Sequence, residues 1–263
     1  MVERWAERTP DGFVMHVKAF GMMTRHPVKA EQLPTDLREA APVDDRGRID
    51  RPLRELRGEV FARFHRALEP LRAAGKLGGI LLQFPSYVVP KERSYEYLQW
   101  AHEQLRGDRM LVEFRHRSWL DEDGREETLS FLEELGASHV VVDAPKTEAK
   151  NLVPTVVAVT SPTAYVRMHG RNAKTWNVRG GSASERFDYL YAPDELREWV
   201  DPLRELSKKA DDVYVLFNNN RWSKAPAGFD GETVAQAPVN ATMLRRILAE
   251  RGVPATGSDY DLR

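Results

Sequence analysis

The stretch MLVEFRH, residues 110–116, decides how this chain is read. Its first half is continuously apolar, which suits a parallel strand covered on both faces. Its second half carries Glu113, Arg115 and His116, so the strand finishes on charge. Five other segments repeat this plan: 13–19 (FVMHVKA), 79–84 (GILLQF), 139–143 (HVVVD), 164–169 (AYVRMH) and 213–219 (VYVLFNN). Each is short and rich in β-branched or aromatic residues, and each ends on polar groups.

Between these strands the apolar residues recur at helical spacing. The periodicity predicts helices over 56–74, 94–105, 126–135 and 193–210, and a last helix over 240–250 before Gly252. Strand and helix alternate, which argues for an α/β fold with right-handed crossovers. Two stretches interrupt the alternation. Residues 34–54 are charged and contain proline, and are expected to form a surface excursion. Residues 172–187 (NAKTWNVRGGSASERF) are polar and Gly/Ser-rich, and a loop directly after a strand can cover a site. With no linker or repeat, residues 1–263 read as one domain.

Composition narrows the function classes. The 263 residues are 41% hydrophobic, enough to build a core. They carry 39 Lys+Arg against 40 Asp+Glu, so no net field draws the chain to nucleic acid or membrane. There is no cysteine, which excludes disulfides, thiolate metal sites, iron–sulfur clusters and a cysteine nucleophile. No apolar run reaches the roughly 20 residues that span a bilayer. The opening MVERWAERTPDG lacks the apolar region of a secretory leader, so the expected place is the cytoplasm. No GxGxxG after a strand, GxxxxGK[ST], HExxH or GxSxG occurs, and no cofactor is expected.

The polar strand ends are the candidate site. Burying an unpaired charge is costly, so these groups are paired or reach a wet cavity. The carboxyl ends of parallel strands are where α/β folds bind ligands. Glu113 and Arg115 are two apart and share a face; so are Arg167 and His169, and His16 and Lys18. If those faces converge, one pocket holds Lys18, Glu113, Arg115, Asp143, Arg167 and His169. Cations outnumber carboxylates there, which favours a phosphate- or carboxylate-bearing ligand. Glu113, Asp143 and His169 are the candidates for moving a proton. Lys18, His26, Gln83, Arg115, Arg167, Arg171, Asn218 and Asn219 are the candidates for holding substrate.

The blander readings stand beside these. Glu113–Arg115 alone reads as a structural ion pair, His16 as a core histidine, and His116 as packed under a helix. Trp119 and Trp176 read first as packing residues. Glu113, Asp143, His116 and His169 suggest a metal site, but the cations between them would repel the ion, so no metal is expected. Arg171, Lys174, Trp176 and Arg179 mix cations with an aromatic, as single-strand nucleic-acid grooves do. A nucleic-acid-binding or -processing protein and a metal-dependent hydrolase or isomerase therefore remain as alternatives to an enzyme for small anionic substrates. A membrane partner is not expected.

The motifs GGILLQFP (78–85), LVEFRHRSW (111–119), VVVDAP (140–145), YVRMHGRN (165–172), YLYAPDEL (189–196) and VLFNNN (215–220) resemble the YecE-like family, the domain of unknown function 72. FVMHVKAFGMMTRH (13–26) resembles that family's Lys-containing strand and its Thr-x-His turn. The resemblance runs from about Trp5 to Asn240. It implies a TIM-type (β/α) barrel but supplies no reaction. The positions it marks are Lys18, Thr24, His26, Gln83, Glu113, Arg115, His116, Ser118, Trp119, Asp143, Arg167, His169, Gly170, Arg171, Tyr191, Asn218 and Asn219. Members usually begin with a Gly-rich strand bearing a Ser-Gly-Trp-like segment and a second bearing a Val-Glu-x-Asn-like segment; neither occurs here. The expectation is therefore an incomplete barrel, with about six of eight strands and the first two βα units missing. Residues 155–160 (TVVAVT) are the one spare strand candidate.

Overall fold

The computed structural model describes residues 1–39, 41–147, 149–174, 176, 185, 187–219, 221–229 and 231–257. The chain forms two compact units, Met1–Ser138 and His139–Arg263. The strands in chain order are β1 (Met15–Lys18), β2 (Val28–Lys29), β3 (Arg48–Ile49), β4 (Leu77–Gln83), β5 (Met110–Glu113), β6 (Ser138–Asp143), β7 (Thr163–Met168), β8 (Asp212–Phe217), β9 (Trp222–Lys224) and β10 (Thr233–Ala235). In the first unit β1, β4 and β5 are parallel neighbours, with β4 in the middle. In the second, β6, β7 and β8 are parallel neighbours, with β7 in the middle. These are the six strands expected, and the α/β reading holds. The short pairs β2–β3 and β9–β10 are antiparallel.

The described helices are α1 (Val2–Arg8), α2 (Thr35–Glu39), α3 (Arg54–Ala67), α4 (Glu69–Ala73), α5 (Glu92–Gln104), α6 (Arg125–Leu135), α7 (Pro193–Arg197), α8 (Val200–Lys209) and α9 (Gln236–Glu250). Two of the expected helices break in two. A proline lacks the N–H for its i−4 carbonyl and its ring crowds that carbonyl. Pro70 accordingly separates α3 from α4, and Pro202 separates α7 from α8. The excursion at 34–54 contains α2 and β3. Residues 155–160 are not a strand. They lie along β6 instead, where Thr155 Oγ1 donates to Val142 O (2.9 Å) and His139 N donates to Thr160 Oγ1 (2.7 Å). Among the described residues no helix is long and apolar enough to cross a membrane.

The cores follow the sequence pattern. Every residue of β5 and of β6 is buried. In the second unit Val141, Val166 and Met168 pack against Leu203 and Leu206 of α8 and Leu244 and Ile247 of α9. Each such side chain is worth about 1.5–3 kcal/mol of apolar burial. One glycine decides how closely β1 approaches β4: a Cβ on Gly78 would stand 2.4 Å from Val14 Cγ1 and 2.7 Å from His16 Nε2. Only a residue without a side chain leaves room for His16 there.

Candidate functional site

In the first unit the carboxyl ends of three adjacent strands are wired together. Gln83 and Glu113 are register partners at the ends of β4 and β5, so their side chains stand side by side. Lys18 Nζ, at the end of β1, donates to Gln83 Oε1 at 2.9 Å, and Gln83 Nε2 donates to Glu113 Oε1 at 2.8 Å. Arg115 Nε lies 2.7 Å from the same Glu113 oxygen. Glu113 is fully buried, and Arg115 is partly buried. A carboxylate this deep is held by charge-assisted bonds. Polarity runs one way along the chain, from exposed Lys18 inward.

His26 joins this group through the turn after β1. The Thr24 hydroxyl donates to Gly21 O (3.1 Å), and its oxygen lies 2.9 Å from His26 Nδ1. With the hydroxyl proton committed to Gly21, that oxygen accepts from Nδ1–H and leaves Nε2 as the basic nitrogen. Burial lowers the His26 pKa, and the charges of Lys18 and Arg115 lower it further. His26 is therefore a neutral imidazole at neutral pH beside two cations. His116 caps the short 3-10 turn Arg117–Trp119, with Nδ1 2.7 Å from Ser118 Oγ, rather than packing under a helix. Trp119 packs as expected: it is buried, stacks on Phe114 with centroids 4.1 Å apart, and donates its indole N–H to Val88 O.

The second unit has its own polar cluster, built differently. Asp143 ends β6 and is 1% exposed. Arg171 Nε contacts both its oxygens, at 3.2 and 3.0 Å, and the Tyr191 hydroxyl donates to Oδ2 at 2.6 Å. Arg171 also reaches Glu198 Oε2 at 2.9 Å. Burial works against the Arg171 charge, yet bonds to Asp143 and Glu198 hold its pKa above the ordinary value. Burial and then the Asp143 charge push the Tyr191 hydroxyl pKa up. The Tyr191 oxygen accepts the Gly170 N–H at 2.8 Å. Gly170 has φ 87°, and a Cβ there would meet Tyr189 Cβ at 2.5 Å, so this turn requires glycine.

Asp143 and Arg167 do not share a face. Asp143 is in register with Met168, one residue past Arg167, so it lies with the core-facing residues while Arg167 points to the other face of β7. His169 is fully buried; Asn218 Nδ2 lies 3.3 Å from its Nδ1, and Phe187 and Trp176 pack on its ring. Asn219 is 2% exposed, and among the described residues neither its amide nitrogen nor its amide oxygen has a hydrogen-bond partner. Of the groups read as a nucleic-acid groove, Arg171 is held by carboxylates, Trp176 is buried, Lys174 is exposed, and Arg179 lies outside the described residues. Most of the polar loop 172–187 lies outside them too. Among the described residues no three His, Asp or Glu side chains form a metal-binding group.

A family model, "Protein of unknown function DUF72", matches residues 1–257. The chain belongs to the DUF72 family. It is 34% identical over 222 residues to UPF0759 protein YunF of Bacillus subtilis strain 168, covering 83% of this chain and 71% of that protein. Among solved structures it is similar to a DUF72 family protein of Thermotoga maritima MSB8, with TM-score 0.69 and 31% identity over 94% of this chain and 77% of that one. A DUF72 family protein of Enterococcus faecalis V583 shares the fold at TM-score 0.73, with 23% identity over 99% of this chain and 83% of that one. DUF72 membership carries no named reaction, so function rests on the site itself.

Neither the basic nitrogen of His26 nor the Asp143–Tyr191 link followed from strand parity. The Thr-x-His spacing at 24–26 was the available signal for the first. Tyr191 lies 48 residues from its partner, and nothing local marked that link.

Proposed function

We propose that this DUF72 protein is an enzyme acting on a small anionic substrate, phosphate- or carboxylate-bearing, at the carboxyl ends of its parallel strands. The observation that carries the reading is the chain Lys18–Gln83–Glu113–Arg115 at the ends of β1, β4 and β5. In this reading Lys18 and Arg115 hold the anion. Gln83 and Glu113 hold those cations in place, and His26 Nε2 accepts the proton. A neutral imidazole next to two cations suits a base at neutral pH, and an anion seated between them would raise its pKa. In the second unit Arg167, His169, Asn218 and Asn219 are strand-end groups that form a candidate anion-binding group of that unit by itself. Asp143 serves to hold Arg171.

A screen of phosphorylated and carboxylated metabolites by thermal shift tests this. A binder should protect the full chain, Lys18→Met should bind it at least about tenfold more weakly, and His26→Gln should bind it but lose turnover. Equal binding by Lys18→Met and the unaltered protein overturns the assignment.

A further inference from the structure

We infer that a cavity beside the turn at 24–26, in the first unit, is a second anion site that takes a ligand with two or more linked phosphates. None of Lys18, Gln83, Glu113 or Arg115 lines it, so it is separate from the strand-end group and does not depend on the function proposed above. The cavity holds about 700 Å³, and its wall carries Arg25, Arg51, Arg57, Lys91 and Arg93 against the single carboxylate of Asp50. A second depression of about 500 Å³ shares Arg57, Arg93 and Tyr97 with it. That is more room, and more positive charge, than one phosphate needs.

The cations are placed rather than scattered. The guanidinium groups of Arg25 and Arg57 both lie on the ring of Tyr97, at 5.4 and 5.2 Å from its centroid. Contact with the ring holds each group in place and leaves N–H donors for an oxyanion such as a phosphate. Tyr97 is itself anchored, donating its hydroxyl to Met23 O at 2.7 Å. Arg25 adopts φ 65°, a left-handed conformation that costs a non-glycine residue energy, and Tyr87 pins it by donating to its carbonyl at 2.6 Å.

Apart from Arg51, which meets Asp50 at 3.9 Å, the positive charge is unmatched. Arg57 Nε is buried without a hydrogen-bond partner, and among the described residues no carboxylate pairs with Arg25, Arg57 or Arg93. An unsatisfied buried donor is costly, and here an anion would satisfy it. The N-terminus of α5 adds its partial positive charge: its N-cap is Lys91, which makes no side-chain cap, and Arg93 and Ser94 of its first turn line the cavity. Burial holds the Arg25 pKa down, and the nearby charges of Arg57 and Arg93 lower it further, a repulsion that a bound polyanion removes.

Calorimetric titration of the full chain with inorganic triphosphate tests the inference. Saturable binding is expected that persists in Lys18→Met and is tighter for triphosphate than for orthophosphate. Arg57→Met and Arg93→Met should each weaken it by at least about tenfold, and Lys18→Met should leave it unchanged. Arg93 is exposed, so its variant keeps the test readable if Arg57→Met does not fold, as circular dichroism would show. Absence of saturable binding overturns the inference. So does binding that survives both arginine substitutions, or that is lost in Lys18→Met and kept in Arg57→Met. A single-stranded oligonucleotide that binds more tightly than triphosphate and displaces it would overturn the small-ligand assignment in favour of a nucleic-acid groove. Because Lys18→Met reports only on the strand-end site, failure of the two sites is read separately.

Discussion

The two units place the same residue types at their strand ends and finish them in opposite ways. In the first, a buried carboxylate (Glu113) holds Arg115 directly and Lys18 through Gln83, and Lys18 stands in solvent. In the second, a buried carboxylate (Asp143) is closed over by Arg171 and Tyr191, and Arg171 is held again by Glu198. The first arrangement leaves a cation and a neutral histidine at its outer end. The Asp143 cluster of the second pairs its own charges internally, Asp143 with Arg171 and Arg171 again with Glu198. A strand-end charge is thus evidence for a ligand when it reaches solvent, as Lys18 does, rather than being closed over within the fold.

Removing one cation from each network separates the two arrangements. Arg171→Met leaves Asp143 buried without its counter-charge and should cost about 3–5 kcal/mol in urea unfolding. Lys18→Met removes an exposed end group and should change stability by no more than about 0.5 kcal/mol. Equal costs for the two substitutions would mean that both clusters are structural, and the case for a ligand at the first would lose its basis.

The strands were legible because a parallel strand buried on both faces is apolar throughout, and no helix pattern competes with HVVVD or MLVE. Their ends shifted by up to three residues, since Arg115 and His116 extend the apolar run's appearance without joining the ladder. Prolines 70 and 202 were visible, but periodicity ran across them. The Glu113–Arg115 pair was readable from spacing. The company of Asp143 was not, because parity tells which residues of one strand share a face and not which face meets the core. That needed the register of Asp143 with Met168. The cavity around Tyr97 was invisible for another reason: Arg25, Arg57 and Arg93 come from separate segments, each of which reads as ordinary solvated charge.

Acid separates the two kinds of histidine. His139 is fully buried, and its Nε2–H faces Val156 O at 3.0 Å. Burial lowers its pKa from 6.5 to about 4, against a small opposing effect of that carbonyl. The unfolded chain takes up the proton below pH 6.5 while the folded chain refuses it down to about pH 4. Stability from this group is therefore complete above pH 6.5 and is lost as pH falls to 4, by about 3 kcal/mol. Unfolding of the His139→Gln protein over this range should show a pH slope smaller by about one proton. His26 is shifted in the same direction but sits half-buried beside cations, so its titration, followed by NMR, should move upward when an anion binds. Parallel slopes for wild type and His139→Gln, or a His26 titration indifferent to every anion, would erase the distinction between a closed histidine and an open one.

The smallest effect tests whether any part of the second unit also stays open. Asn219 is buried with both amide atoms lacking a partner among the described residues, an arrangement that costs about 1–3 kcal/mol when nothing fills it. Asn219→Leu keeps nearly the same shape and removes both polar atoms. Leucine's methyl groups are bulkier than the amide atoms they replace, which takes back part of the gain. A net stabilisation of about 1 kcal/mol is expected in thermal unfolding, together with weaker binding of any anion that still protects the Lys18→Met protein. A gain in stability with a loss of binding marks an amide kept for a ligand. A loss of stability instead means that Asn219 is satisfied within the fold, and the second unit is then closed at β8 as it is at β6.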